Sequence, residues 1–174
     1  MGPPWGSQST RPFAYRRDAG RRLASKLAYR PALRGRGDQD GAGHGAPIVL
    51  ALPRGGVPVA IPIAQELDCE LDVVVARKIG MPWQPEFGVG AIAEDGPAIF
   101  NERALDDAGL LPEDLAHQVE RERAELGRRV AVYRGDRPRP AVAGRRVVLV
   151  DDGLATGITA VAAVRWLREA GGGE

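Results

Sequence analysis

Cysteine is nearly absent. Cys69 is the one cysteine in 174 residues, so no intrachain disulfide framework can form. A reducing, cytoplasmic setting is the simplest for such a chain. Only two histidines occur, His44 and His117, far apart and without metal-ligand spacing. Aromatic residues make up 5%. The longest apolar region, Ile48 to Ala64, is interrupted by Arg54 and three prolines. It falls short of the roughly 18 apolar residues that a membrane span requires. The N-terminus, Met1-Gly2-Pro3-Pro4-Trp5, lacks the apolar stretch of a signal peptide. Net charge is also small: 24 basic residues face 23 acidic ones. Nucleic-acid and membrane-surface binders usually carry a basic excess, so neither partner is expected.

What remains suits a globular α/β chain. Hydrophobic residues reach 44% and charged residues 27%, enough for a core and inconsistent with global disorder. The 23 glycines and 14 prolines are about a fifth of the chain, so loops are expected to be numerous and to carry function. Lysine is rare beside arginine: only Lys26 and Lys78 occur. Arginine is the default basic residue, which singles out Lys78.

Residues 1–12 read as a loose Pro/Gly/Ser-rich start, and 13–174 as one domain. Leu23, Ala24, Leu27 and Ala28 have helical spacing within 15–30, and Pro31 ends that helix. Asp18 and this periodicity favour an ordinary exposed helix over a targeting peptide, despite Arg11, Arg16, Arg17, Arg21 and Arg22. Residues 31–47 form a polar, Gly-rich connector expected to be flexible. Ile48–Leu52, Leu71–Ala76 and Val147–Val150 are continuous apolar runs, the mark of strands buried on both faces. Helices are expected at 57–67, 112–133 and 159–170, and weaker strands at 89–93 and 98–101. Strands alternating with helices predict a three-layer parallel sheet flanked by helices.

In such a sheet, ligands bind beyond the carboxyl ends of the strands. Three unusual segments fall there: Pro53-Arg54-Gly55-Gly56, Arg77-Lys78, and Asp151-Asp152-Gly153-Leu154-Ala155-Thr156-Gly157-Ile158-Thr159. The last is the most informative. A buried strand ends in two carboxylates, followed by a small-residue turn with two hydroxyls and then a helix. Backbone N–H groups in such a turn cradle a phosphate, and Gly153 and Gly157 permit close approach. Adjacent carboxylates would repel a phosphate unless they face sugar hydroxyls or a divalent cation. A phosphorylated pentose with a metal meets both conditions.

The segment VVLVDDGLATGIT (147–159) resembles the 5-phosphoribosyl 1-pyrophosphate (PRPP) motif of type I phosphoribosyltransferases. LPRGG (52–56) is similar to that family's pyrophosphate loop, and VVVARKIG (73–80) to its strand ending in a basic residue. The spacing over roughly 150 residues resembles the bacterial phosphoribosyltransferases of mostly unassigned substrate. The resemblance implies that Asp151 and Asp152 bind the ribose hydroxyls and hold Mg through water. It implies that Gly153, Leu154, Ala155, Thr156, Gly157 and Thr159 bind the 5-phosphate. Arg54, with the amides of Gly55 and Gly56, would hold pyrophosphate, with Lys78 and Arg77 adding charge. Asp151, Asp152 and Lys78 would carry catalysis: phosphoribosyl transfer to a nitrogenous base or similar acceptor with release of pyrophosphate, a step of nucleotide metabolism. A homodimer is among the assemblies this family allows.

The loop at 80–97 lies where the family carries a mobile cover, with Gly80, Gly88 and Gly90 as hinges and Trp83 and Phe87 as an apolar lid. Glu86, Glu94 and Asp95 read as solvated loop charges rather than ligand contacts, and Glu120–Arg129 as a solvated helix face. Cys69 reads as a small buried apolar residue. Relatives in the family continue beyond the helix at 159–170. The chain therefore reads as C-terminally truncated, with its last strand missing, an exposed apolar edge at 147–150, an incomplete acceptor site and weak or no activity.

Two other readings fail on motif: no G-x-x-x-x-G-K-[ST] accompanies the VVLVDD strand, and Arg54-Gly55-Gly56 supplies no G-x-G-x-x-G. A non-catalytic PRPP or nucleotide sensor of the same fold stays open.

Overall fold

The computed structural model describes residues 13–30, 33 and 45–172. The loose start at 1–12 and most of the connector at 31–47 lie outside them. The described elements run α1 (Arg16–Leu27), β1 (Gly45–Ala51), α2 (Val57–Leu67), β2 (Glu70–Val73), β3 (Ala76–Gly80), β4 (Gly88–Ala93), β5 (Ile99–Phe100), α3 (Glu102–Ala108), α4 (Ala116–Arg134), β6 (Arg145–Val150) and α5 (Ile158–Glu169).

The parallel sheet has the order β2-β1-β6. Alternation along β1 explains its unbroken apolar character. Val49 and Ala51 pack with Val59, Ala60 and Ile63 of α2 and Ala24 of α1. Ile48 and Leu50 face the other way, onto Ala163, Trp166 and Leu167 of α5. The α/β class with a parallel sheet between helical layers is therefore as expected. Gly20 lets α1 press onto α2: a Cβ there would lie 2.3 Å from the Val59 carbonyl oxygen and 2.5 Å from Pro62 Cγ. Pro62 itself sits inside α2 without ending it.

Register places the site. Ala51 pairs with Val150 on one side and with Val73 on the other. All three strands therefore end at one level, and the turns leaving β1 and β6 emerge side by side. Among the described residues β6 is an outer strand of this sheet.

The expected strand at 71–76 is in fact two. β2 stops at Val73, and β3 joins an antiparallel sheet of order β3-β4-β5 that the sequence reading did not include. The break is a tertiary effect. Glu94 Oε1 takes the Val75 N–H at 2.8 Å, and the Glu94 N–H donates to the Val75 carbonyl at 2.9 Å. Arg134 clamps the same carboxylate at 3.0 and 3.1 Å and donates to the Val73 carbonyl at 3.2 Å. Glu94 and Arg134 are both buried, so Glu94 is not a solvated loop charge.

Other expectations shift in detail. The connector ends earlier than expected, because β1 begins at Gly45. The long helix starts as a 3-10 turn at Pro112–Leu115 and becomes α-helical from Ala116. Its charged run is not uniformly solvated: Glu125 binds Arg128 and Arg129 on the outside, while Glu122 and Leu126 are buried. The two arginines hold the Glu125 carboxyl down to about 2. Helix α3 was not anticipated, although Asn101 caps it by accepting the Ala104 N–H at 3.3 Å and Gly109, at φ 63°, closes it.

Candidate functional site

The turn after β6 is an open cradle. Residues 152–156 are exposed. Among the described residues, none of the backbone N–H groups of residues 153–157 has a hydrogen-bond partner. A Cβ on Gly153 or Gly157 would meet nothing within 4 Å. Gly157 caps α5 at φ 75°, a conformation that glycine adopts without strain. Five consecutive free donors thus precede the positive end of a helix, which is the arrangement that binds a phosphate. Thr156 Oγ1 lies 3.5 Å from the Ile158 nitrogen, and Thr159 sits half-buried in the first turn.

The two carboxylates stand at the entrance to this cradle. Asp151 Oδ1 accepts the Asp152 N–H at 2.8 Å. Partial burial pushes the Asp151 carboxyl above its ordinary value, and the neighbouring Asp152 charge adds to this, against the opposing effect of that N–H. Asp152 Oδ2 accepts the Arg16 Nε–H at 2.6 Å, and Arg16 Nη2 lies 2.6 Å from the same oxygen as an ion pair. Arg16 is the contact that sequence reasoning missed. It comes from 136 residues away, in a helix crowded with similar arginines, and nothing local marks it.

The turn after β1 meets the acidic turn directly. A Cβ on Gly55 would lie 2.3 Å from the Asp152 carboxylate, and one on Gly56 would lie 2.5 Å from the Val150 carbonyl oxygen. Only glycine fits at either place. The expected role of the Gly56 amide changes: its N–H is taken by the Leu52 carbonyl at 2.9 Å. Gly56 acts through its missing side chain instead. The Arg54 side chain is exposed and, among the described residues, has no hydrogen-bond or ion-pair partner. The Pro53–Arg54 peptide is cis.

Arg77 and Lys78 do not continue a strand of the parallel sheet. As neighbours in β3 they point to opposite faces. Arg77 Nε donates to Glu122 Oε2 of α4 at 2.9 Å. Lys78 Nζ donates to the Glu86 carbonyl at 2.6 Å and lies 3.7 Å from the Glu86 carboxylate. No described contact brings either one to the acidic turn. The expected cover shrinks as well. Gly88 and Gly90 belong to β4, where the Lys78 stem and the β5 backbone approach too closely for a Cβ. That leaves 81–87 as the loop, with Trp83 63% and Phe87 46% exposed, so neither ring is anchored in the core.

A cleft of about 440 Å³ opens beside the carboxylates, walled by Leu23 and Leu27 of α1, Val148 of β6, Leu154 and Ala160. Leu23, assigned to the packed face of α1, is 42% exposed and lines this cleft. Cys69 is half-buried against the α2 core, and burial pushes its thiol up, away from reactivity.

A parallel sheet with a row of free amides and an acidic pair at one rim is an α/β arrangement that can accept a phosphorylated sugar. The family follows from comparison. Residues 30–174 match the model of the phosphoribosyl transferase domain, and the chain belongs to that family. Over 159 residues it is 43% identical to "Putative phosphoribosyl transferase Rv0571c" of Mycobacterium tuberculosis H37Rv and equally to its counterpart in strain CDC 1551. The alignment covers 91% of this chain and 33% of each relative, so the chain spans a third of their length. The crystal structure of TT1426 from Thermus thermophilus superposes with a TM-score of 0.68 at 41% identity, covering 93% of this chain and 71% of that one. Among the described residues no helix is long and apolar enough to cross a membrane.

Proposed function

We propose that this chain binds PRPP with Mg and transfers its phosphoribosyl group to a nitrogen nucleophile, releasing pyrophosphate. The observation that carries the reading is the row of five amides at 153–157, unpartnered among the described residues, directly behind Asp151 and Asp152. The amides and the α5 terminus receive the 5-phosphate, with Thr156 and Thr159 beside it. Asp151 and Asp152 accept hydrogen bonds from the ribose hydroxyls. Arg54 and the free N–H of Gly55 hold the pyrophosphate. Lys78 reaches it once released from Glu86. Arg77 has a structural partner in Glu122 and enters only if that pair opens.

The carboxylates also fit a divalent cation. Among the described residues no three His, Cys, Asp or Glu side chains cluster as a closed cage. That suits Mg, which takes one or two carboxylates and completes its shell with ligand oxygens and water. Asp151 and Asp152 would hold it through water; when bound, it offsets charge on the leaving pyrophosphate. The nitrogen lone pair forms the new bond to the sugar C1 as the bond from C1 to the pyrophosphate oxygen breaks. The electron pair leaves with pyrophosphate, and the nitrogen sheds its proton. Arg54 and Lys78 stabilise the leaving group as its charge grows.

The deciding measurement is pyrophosphate release by the full-length protein with PRPP, Mg and a panel of nitrogenous acceptors. Turnover with one acceptor supports the transferase. Tight PRPP binding without turnover across the panel supports a non-catalytic sensor instead.

A further inference from the structure

We propose that Arg16 is a positioning residue that turns the acidic pair into a receptor for a vicinal diol. This rests on the reading of Asp151 and Asp152 as sugar-hydroxyl acceptors. Arg16 engages one oxygen, Asp152 Oδ2: its Nε–H donates at 2.6 Å and Nη2 lies 2.6 Å away as an ion pair. The Asp152 N–H likewise occupies one oxygen of Asp151, Oδ1, at 2.8 Å. The two carboxyls also face each other, and among the described residues no further donor reaches either one. Two adjacent carboxylates, each held through one oxygen, match the two donors of a cis-diol.

Asp152 is fixed from two sides. Gly55 closes on the Asp152 carboxylate so tightly that a Cβ would lie 2.3 Å away, and Arg16 approaches from α1. The Asp152 side chain is 28% exposed against 61% for Arg16. The guanidinium is thus the outer, movable member and the carboxylate the inner, held one. Arg16 also offsets one of two neighbouring negative charges at a site that must admit a phosphorylated ligand. The planar guanidinium adds a directed N–H bond to its charge, where a single ammonium supplies chiefly a point charge.

The test compares Arg16→Ala and Arg16→Lys with the unaltered full-length protein. Binding of ribose 5-phosphate and 2-deoxyribose 5-phosphate is measured by calorimetry, with PRPP plus Mg in parallel. The unaltered protein prefers the ribose ligand. Arg16→Ala weakens ribose 5-phosphate by about fivefold, as loss of an exposed ion pair does, and leaves the deoxy sugar within about twofold by the same standard. Arg16→Lys restores part of the preference. Equal loss for both sugars, or tighter binding of either by Arg16→Ala, overturns the proposal; tighter binding would make the contact a latch. If the unaltered protein binds neither PRPP with Mg nor ribose 5-phosphate, and Asp151→Asn/Asp152→Asn changes nothing, the underlying reading of the site fails first.

Discussion

The turns at the carboxyl ends of β1 and β6 and the antiparallel lobe built on β3, β4 and α4 treat their charges in opposite ways. In the lobe the buried charges are paired, although Arg134 Nε and Gln118 Oε1 are buried without a partner among the described residues. Arg134 holds Glu94 through two bonds, Arg77 holds Glu122, and Asp95 receives both the Trp166 indole N–H and Arg139. These contacts join strands to helices, and most of their residues are buried or partly covered. At the rim, five amides and the Arg54 guanidinium have no partner among the described residues, and two neighbouring carboxylates have one arginine, on Asp152. Folding tolerates those groups because water reaches them, and a ligand can replace the water. Charged residues alone therefore do not mark the site. Charged residues left unmatched where strands end do.

The contrast is broken most severely by attacking the matched region. Arg134→Ala leaves the buried Glu94 carboxylate without its cation and should destabilise the fold by about 3–5 kcal/mol, seen as a lower midpoint in chemical denaturation. Arg128→Ala, in an exposed pair on the same helix, should leave that midpoint nearly where it is. Equal effects would mean that the lobe is not held by its buried pairs.

At the rim the order reverses, with large effects on binding and small ones on folding. Asp151→Asn/Asp152→Asn removes two charged acceptors, each worth about 1.5–3 kcal/mol, so Mg-dependent PRPP affinity should fall by more than about 100-fold by that measure. Unchanged affinity in calorimetry would refute the site. Gly55→Ala should come next. Its Cβ must displace the Asp152 carboxylate, lowering PRPP affinity by about tenfold, the loss of one such hydrogen bond. The Asp152 side chain, 28% exposed, must give way and loosen its contact with Arg16, so the melting temperature should fall slightly.

The smallest effect concerns Asp151 and pH. Its carboxyl lies above the ordinary 3.8 in the folded chain because burial disfavours its charge. The folded state therefore keeps a proton that the unfolded chain has lost, and stability falls as pH rises through that interval. Asp151→Asn lacks the fall. It should melt slightly higher than the parent at neutral pH while binding poorly, and the gain should vanish below about pH 3.8. A variant that melts lower at neutral pH would show that the ionised carboxylate stabilises the fold.

Much of this was legible before any coordinates. The runs at 48–52 and 147–150 are apolar at every position because both faces of those strands are covered. The turn expected after the third strand, 151–157, leads into a helix as its composition suggests. Helix α2 falls on the expected residues, 57–67, even across Pro62. What was illegible has one cause: pairing between distant segments. VVVARKIG is continuous in β-propensity, so its sequence could not show that Glu94 and Arg134 cut it after Val73 and send Arg77 to α4. Glu122 looks like its solvated neighbours on α4, and only its phase against Arg77 separates it.

The class of the fold and the glycine-threonine turn after two aspartates could be read from the sequence alone, because hydrophobic periodicity and turn composition are local properties. Tertiary structure decided which charges are free. It set the β1–β6 register that brings Gly55 against Asp152, aimed Arg16 at one oxygen of that carboxylate, and withdrew Arg77 into an ion pair. A side chain's availability depends on every group that packing brings within hydrogen-bond reach, and those groups come from anywhere in the chain.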